Sequence, residues 1–301
     1  MTPRRLLLAS LASPALQGCA APLPPVSSPR TTPEARALLF ESAEAHGLDA
    51  FSKANDLSVS YAGEWLALVG RLQPALVDSG FRGGSEERLL LRERLVAQAH
   101  TGPSGRKQVV RRAAPNAGGE VRVWFNGDQA RDAERRAAAA LVADGYSLFL
   151  LGPMLLARHW MAERSPVMEL AGAERIALHD GRRHECDVLR ARIAPGLGFS
   201  GGERLALYID REERLMRRVR FTLDGLEATR GAVAEVDASG HVTLHGVRWP
   251  TRFHERLLRP LPLPVHNWRL TGLDVDRGLD SAEVGGAVFG GKAVRPAAAL
   301  A

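Results

Sequence analysis

Leu205-Ala206-Leu207-Tyr208-Ile209-Asp210-Arg211-Glu212-Glu213-Arg214-Leu215-Met216-Arg217-Arg218-Val219 is the stretch that decides the fold class. Leu205, Leu207 and Ile209 recur at every second residue, the period of a strand with one face in a core. The charged run Asp210-Arg211-Glu212-Glu213 interrupts them. Leu215, Val219, Phe221 and Leu223 then resume an apolar pattern that ends at Asp224-Gly225. A strand, a polar turn and a second strand make a β-hairpin.

The same grammar continues on both sides. Downstream, Val233 to Val236 and Val242 to Leu244 flank Ser239-Gly240, followed by strands over Trp249 to Leu258 and Trp268 to Val275. Upstream, Ile176 to His179 turns at Asp180-Gly181 into His184 to Ile193. Nearer the N-terminus, Leu57, Val59 and Tyr61 alternate with polar residues, and Trp65 follows. Glu87 to Ala99 reads as one long strand, which Thr101-Gly102-Pro103-Ser104-Gly105 turns into Lys107 to Arg112. Val121 to Phe125 is closed by Asn126-Gly127, a strong turn pair.

Three segments break the β pattern. Thr32-Pro33-Glu34 is a helix start, with Ala35, Leu38, Leu39 and Ser42 on one face and Gly47 as the stop, giving a helix over 33–46. Asp128 to Ala143 is Ala-rich and charged, so it predicts a helix ending near Gly145. Tyr146 to Trp160 is apolar nearly all round, as in a buried helical segment, with a kink at Gly152-Pro153. The expected fold is α+β and β-rich. A curved antiparallel sheet, a half-barrel of about ten strands, is covered by the N-terminal helix and the mid-chain helical insertion.

The N-terminus reads as an address. Arg4 and Arg5 precede the apolar run Leu6 to Ala12, too short to span a bilayer, and Leu16-Gln17-Gly18 stands before Cys19. Residues 1–18 are therefore expected to be an export signal, and residues 19–32 a tether rich in proline: Pro22, Pro24, Pro25 and Pro29. Such a chain favours extended polyproline II over helix or sheet. Residues 33–280 form the folded domain, and the Gly- and Ala-rich residues 281–301 a flexible tail.

The 301 residues are 45% hydrophobic, ample for a large core, with a net charge of +6. Without Arg4 and Arg5 the balance is 38 basic against 34 acidic residues. The basic residues are nearly all dispersed arginines, with lysine only at Lys53, Lys107 and Lys292. Neither this dispersion nor an exported location suits a nucleic-acid partner. Cys19 and Cys186 are the only cysteines. If Cys19 is lipidated, Cys186 has no partner and is expected to be a buried inert thiol, with stability resting on the core.

Leu16-Gln17-Gly18-Cys19 resembles a lipobox, with Gln17 where a small residue is usual. That resemblance implies a diacylglyceryl thioether on Cys19 and a membrane anchor facing the periplasm, by expectation in the outer membrane. The order of three further segments resembles the lipoprotein-carrier superfamily, the LolA/LolB-like half-barrels. These are the hairpin quoted above, the strand His245 to Phe253, and Val123-Trp124-Phe125-Asn126-Gly127 before a helix. The resemblance implies an antiparallel sheet folded around helices, enclosing an apolar cavity for an acyl chain or other hydrophobic ligand, without catalysis. The large aromatics Trp65, Trp124, Phe149, Trp160, Tyr208, Phe221 and Trp249 are the candidate cavity lining. The alternative is an assembly protein that docks another envelope component on its sheet.

Other motifs carry little. Gly198-Phe199-Ser200-Gly201-Gly202 matches the G-x-S-x-G pattern of a serine hydrolase, with Ser200 as nucleophile, but a strand follows where the elbow needs a helix. Gly286 to Lys292 spells a phosphate loop, with Ala293 in the magnesium-binding position. His179, His184, Glu185 and Asp187 crowd one hairpin, and His241 and His245 share a strand, without a diagnostic zinc spacing. No cofactor, metal or catalytic residue is expected.

Overall fold

The structure, a computed structural model, describes residues 22–114, 118–161 and 166–290. The expected export signal, Cys19 and residues 291–301 lie outside the described residues. Helix α1 (Pro33–His46) begins as its sequence predicts: the Thr32 hydroxyl accepts the Ala35 amide at 3.3 Å, and Gly47 ends the helix at φ 99°. Helix α2 (Leu48–Lys53) and strand β1 (Asp56–Trp65) follow, then α3 (Ala67–Leu72) and α4 (Pro74–Val77). Next come β2 (Gly84–Leu90), β3 (Leu95–Gly102), β4 (Gly105–Arg112), β5 (Glu120–Phe125) and β6 (Asp128–Gln129). The long helix α5 (Ala133–Met161) separates these from β7 (Val167–Ala177), β8 (Arg183–Ile193), β9 (Glu203–Asp210), β10 (Met216–Thr222) and β11 (Val233–Ser239). The chain continues through β12 (Val242–Leu244), β13 (Val247–Trp249), β14 (Arg252–Arg259) and β15 (Leu263–Val275) to α6 (Ser281–Val284).

Thirteen strands form one antiparallel sheet in the order β6-β5-β4-β3-β2-β1-β15-β14-β11-β10-β9-β8-β7, and β12 pairs only with β13. The sheet curls without closing, as the resemblance implied, but has more strands than the sequence predicts. Pairing of β1 with β15 joins the first strand to the last.

Both faces are used. In β9, Leu205, Leu207 and Ile209 pack on the concave side with α5, while Ala206 and Tyr208 belong to a separate cluster on the convex side. Inside the curl, the Tyr146 ring of α5 stacks on Trp268 at 5.3 Å and meets Tyr61 edge-on at 5.5 Å. Residues 133–158 are long and apolar enough to cross a bilayer, but 89% of their most apolar window is buried within the protein. Here α5 is an interior element, solvated by the sheet.

Five expectations need correction. Glu87 to Ala99 is two strands: the turn at Leu91 to Arg94 splits it, with Arg94 at φ 53°. Leucines on both arms, paired Leu90 to Leu95, disguise the hairpin as one run. The insertion is one helix, because residues 128–129 are strand β6 and Gly145 lies inside α5. A lone glycine costs a helix only about 1 kcal/mol, which burial on all sides outweighs. The Gly152-Pro153 break does occur, Gly152 standing at φ 45° and ψ −123°. Ser239-Gly240 makes no hairpin, since β11 pairs with β14 instead of β12.

The two ends also differ from loose chain. Along residues 22–32, the Glu169 carboxylate accepts the Ser27 and Ser28 amides at 2.9 and 3.1 Å, and Thr32 N donates to Met168 O at 3.0 Å. Leu23 is buried among Ile176, Val188 and Tyr208. The segment thereby covers β7, an edge strand whose unpaired groups would otherwise invite other chains. Residues 281–290 pack too: Asp280 and Glu283 form a capping box on α6, and Val284 and Phe289 cover Trp124 on the convex face.

The Gly152 backbone lies where a Cβ is strongly disfavoured, and an added Cβ would also stand 2.8 Å from Met216 Cε. Gly152→Ala is expected to lower stability by roughly 1–3 kcal/mol, read from urea unfolding. An unchanged midpoint would show that the kink is not enforced.

Candidate functional site

A cavity of about 430 Å³ opens beside α5. Successive turns of the helix supply Leu148, Leu151 and Leu155 on one face, a spacing of three and four residues. The helix breaks at Gly152, between Leu151 and Leu155. The wall opposite is the β2–β3 hairpin, residues 89–95, and the far side is the loop after β8, residues 193–197. Phe51 of α2 completes the apolar lining.

Polar groups occupy two places. In the depth, Arg111 of β4 donates from Nη2 to Asp144 of α5 at 2.9 Å and to Gly198 O at 2.9 Å. Asp144 in turn accepts the Gly198 amide at 2.8 Å. Burial outweighs the Arg111 charge and holds the Asp144 carboxyl above its usual range. This pair ties strand, helix and loop together across the curl. At the solvent side stand Arg92, Arg94 and Arg158. The Arg158 guanidinium lies 5.7 Å over Phe51, and burial together with the charges of Arg92 and Arg94 lowers its pKa.

None of the expected aromatics with described side chains, Trp65, Trp124, Phe149, Tyr208, Phe221 and Trp249, lines this cavity. Phe149 and Phe221 touch at 5.2 Å in the packed interior, and Trp249 lies in the same core with its indole N–H donating to Leu244 O at 3.0 Å. Trp124 and Tyr208 are on the convex face, and Arg220 lies 5.2 Å over the Tyr208 ring. Trp65 stacks on His266 at 4.2 Å beside a second cavity of only about 20 Å³. Trp160 belongs to α5, but its side chain lies outside the described residues. Large rings close the gap between α5 and the sheet best, so space remains where leucines face the kink. The arginines were missed because Arg92-Glu93-Arg94 reads as part of a strand. The clue was a polar triplet between Leu91 and Leu95, where alternation fails.

Ser200 sits in the loop between β8 and β9, its hydroxyl donating to Gly202 O at 2.7 Å, and no strand-to-helix elbow is formed. The histidines do not converge: His184 bonds Asp210 at 2.5 Å, His179 stacks on His254 at 3.7 Å, and Arg217 meets His241 at 3.3 Å. Among the described residues no group of three or more His, Cys, Asp or Glu is placed to hold a metal. Cys186 is buried and free, its thiol pushed up to about 12 chiefly by burial.

The concave side also holds a buried polar cluster that the sequence did not announce. Arg82 bonds His100 Nδ1 at 3.0 Å and the Leu76 carbonyl at 3.2 Å. Lys107 pairs with Asp78, and Gln98 donates to Glu87. Burial pushes Glu87 up to about 8 and Glu255 to about 7, and draws Lys107 down to about 8. Oε2 of Glu87 has no partner among the described residues.

No family model matches the sequence, and no curated protein matches it. Among the solved structures similar to the chain over most of their length are two from bacteria. One is a DUF1329 family protein from Desulfovibrio piger, with 12% identity, 84% of this chain and 98% of that one covered, and a TM-score of 0.49. The other is a LolA superfamily protein from Nitrosomonas europaea, with 11% identity, coverage of 83% and 96%, and a TM-score of 0.48. At such identity, function is argued from the chemistry of the site.

Glu87 gives a pH test. From its ordinary 4.5 to about 8, the folded chain holds a proton that the unfolded chain has lost. Stability from this group therefore falls with rising pH, by roughly 1.4 kcal/mol per unit across that window. Glu87→Gln removes the slope while His100, Lys107 and Arg82 keep theirs. The variant's stability relative to wild type is expected to grow between about pH 5 and pH 8 in denaturant titrations, and parallel profiles would contradict the assignment.

Proposed function

We propose that this protein is a non-catalytic, lipid-anchored envelope protein that holds an acyl chain or similar hydrophobic molecule inside its curled sheet. The observation that carries the reading is the cavity of about 430 Å³ lined by Leu148, Leu151, Leu155 and Phe51. That volume falls within the roughly 300–1,000 Å³ of small-molecule sites. At about 30 Å³ per water-sized group, it holds on the order of fourteen, the bulk of one acyl chain. Each methylene transferred from water contributes about 0.8 kcal/mol. The resemblance of the hairpin order to lipoprotein carriers supports the same reading. The docked N-terminal segment adds to it. If Cys19 is the anchor, only two residues separate it from the first described one, so the domain would sit close to the bilayer that supplies the ligand.

The mature chain is the right material for the test, since residues 22–32 and 281–290 are packed parts of the fold. With Cys19→Ser to keep it soluble, the purified protein is expected to carry lipid detectable by mass spectrometry and to take up a fluorescent fatty acid. Leu155→Trp, which fills the cavity from its half-buried wall, is expected to cut uptake at least about tenfold with unchanged circular dichroism. Absence of lipid and of uptake in the unfilled protein would sink the reading. Anchoring is tested separately by labelling cells with a radioactive fatty acid: label is expected on wild type, and its persistence in Cys19→Ala would refute the attachment site.

A further inference from the structure

We propose that the cavity's ligand is a single-chain amphiphile with an anionic head, a carboxylate or a phosphate, held by Arg92, Arg94 and Arg158. The inference rests on the apolar-binding reading above and specifies the polar end of the molecule bound.

Three guanidinium groups gather at the rim of an otherwise apolar space. Arg92 and Arg94 come from the tight turn between β2 and β3, and Arg158 from the last turn of α5, so residues distant in sequence are brought together by the fold. None of the three forms an ion pair among the described residues. Two acidic residues beside the cavity are engaged elsewhere: Glu93 pairs with Arg112 at 3.5 Å, and Asp144 with Arg111 at 2.9 Å; Glu163 lies outside the described residues. Nη1 of Arg158 is buried and has no hydrogen-bond partner among the described residues. A buried, unsatisfied donor on a charged group costs free energy, and like charges beside it add to the cost. The C-terminal end of α5 favours a cation at Arg158. It does not account for two further arginines converging there, or for the unpartnered donor.

An anion at the rim satisfies all of these at once. Carboxylate and phosphate oxygens match the guanidinium fork, and hydrogen bonds to such ions are about twice as strong as neutral ones. The arrangement also sets orientation. The apolar chain runs inward along Leu148, Leu151 and Leu155, and the charged head stays where Arg92 is exposed to solvent. A carboxylate from a fatty acid and a phosphate monoester from a lysolipid share this chemistry.

The test compares ligands of equal chain length on the Cys19→Ser protein: palmitate, 1-palmitoyl lysophosphatidic acid and the neutral hexadecanol, each measured by displacement of a fluorescent probe. The two anions are expected to bind at least about tenfold more tightly than hexadecanol, and the tighter anion identifies the source of the head. Arg158→Gln and the double variant Arg92→Gln/Arg94→Gln are expected to lose that advantage while binding hexadecanol as before. Arg112→Gln, which removes a nearby but paired surface charge, is expected to leave all three affinities unchanged. Equal binding of anions and alcohol by wild type would overturn the anionic head and leave the apolar reading standing. Failure to bind any of them would overturn both. Retained preference in both rim variants would overturn the role of these arginines.

Discussion

A thirteen-stranded open sheet cannot leave its concave apolar face in water, and α5 is what covers it. The helix lies inside the curl as a strongly apolar rod, nearly all of its surface taken up by leucines, valines and aromatic rings of the strands. The remaining architecture answers to this contact. The sheet must curve to reach around a helix, the first strand must pair with the last to bring both arms to it, and α1 must pack against it from one end. Burial at this scale is the dominant favourable term in such a fold. It explains how a helix with an internal glycine and proline stays in place.

The same contact produces the site. A helix that filled the curl evenly would leave a solid core. At Gly152, between Leu151 and Leu155, the backbone departs from helical geometry. Space opens beside them, bounded by the β2–β3 turn and the loop after β8. Arg111 then acts as a brace, holding Asp144 of the helix and Gly198 of that loop from β4. The brace explains how the cavity keeps its shape with few packed neighbours across it. The charge at the rim is of a different kind. Arg111 has a carboxylate partner and completes a closed polar network, whereas the rim arginines share one another's repulsion and face the space that a ligand would enter.

Much of the fold was legible from residues alone. Alternation in Leu205-Ala206-Leu207-Tyr208-Ile209 gave the hairpins, Thr32-Pro33-Glu34 and Gly47 bounded α1, and Gly152-Pro153 marked the kink. These features depend on local geometry: two-residue periodicity, capping and the φ requirements of glycine and proline. The failures share another cause. Glu87 to Ala99 concealed a hairpin because a strand pair with leucines on both arms has the same pattern as one strand. The composition of residues 22–32 and 281–290 suggested loose chain, yet Leu23, Val284 and Phe289 find apolar pockets on the convex face. Whether a short apolar residue in a polar segment is buried depends on a surface that another part of the chain provides.

The sequence by itself determined the alternation of most strands, the boundaries of α1, the break at Gly152-Pro153, and the number of cysteines and charges. Each follows from residues within a turn or two of one another. Only the tertiary structure decided which aromatics fill the core and which lie on the outer face, because successive strand residues face opposite ways and both sides of this sheet are covered. It also decided that the large rings would pack solidly while leucines lined the open space. The gathering of Arg92, Arg94 and Arg158 at one rim belongs to the same level. Those residues are separated by more than sixty positions, from Arg94 to Arg158, and only a helix threaded through a curled sheet brings their charges together.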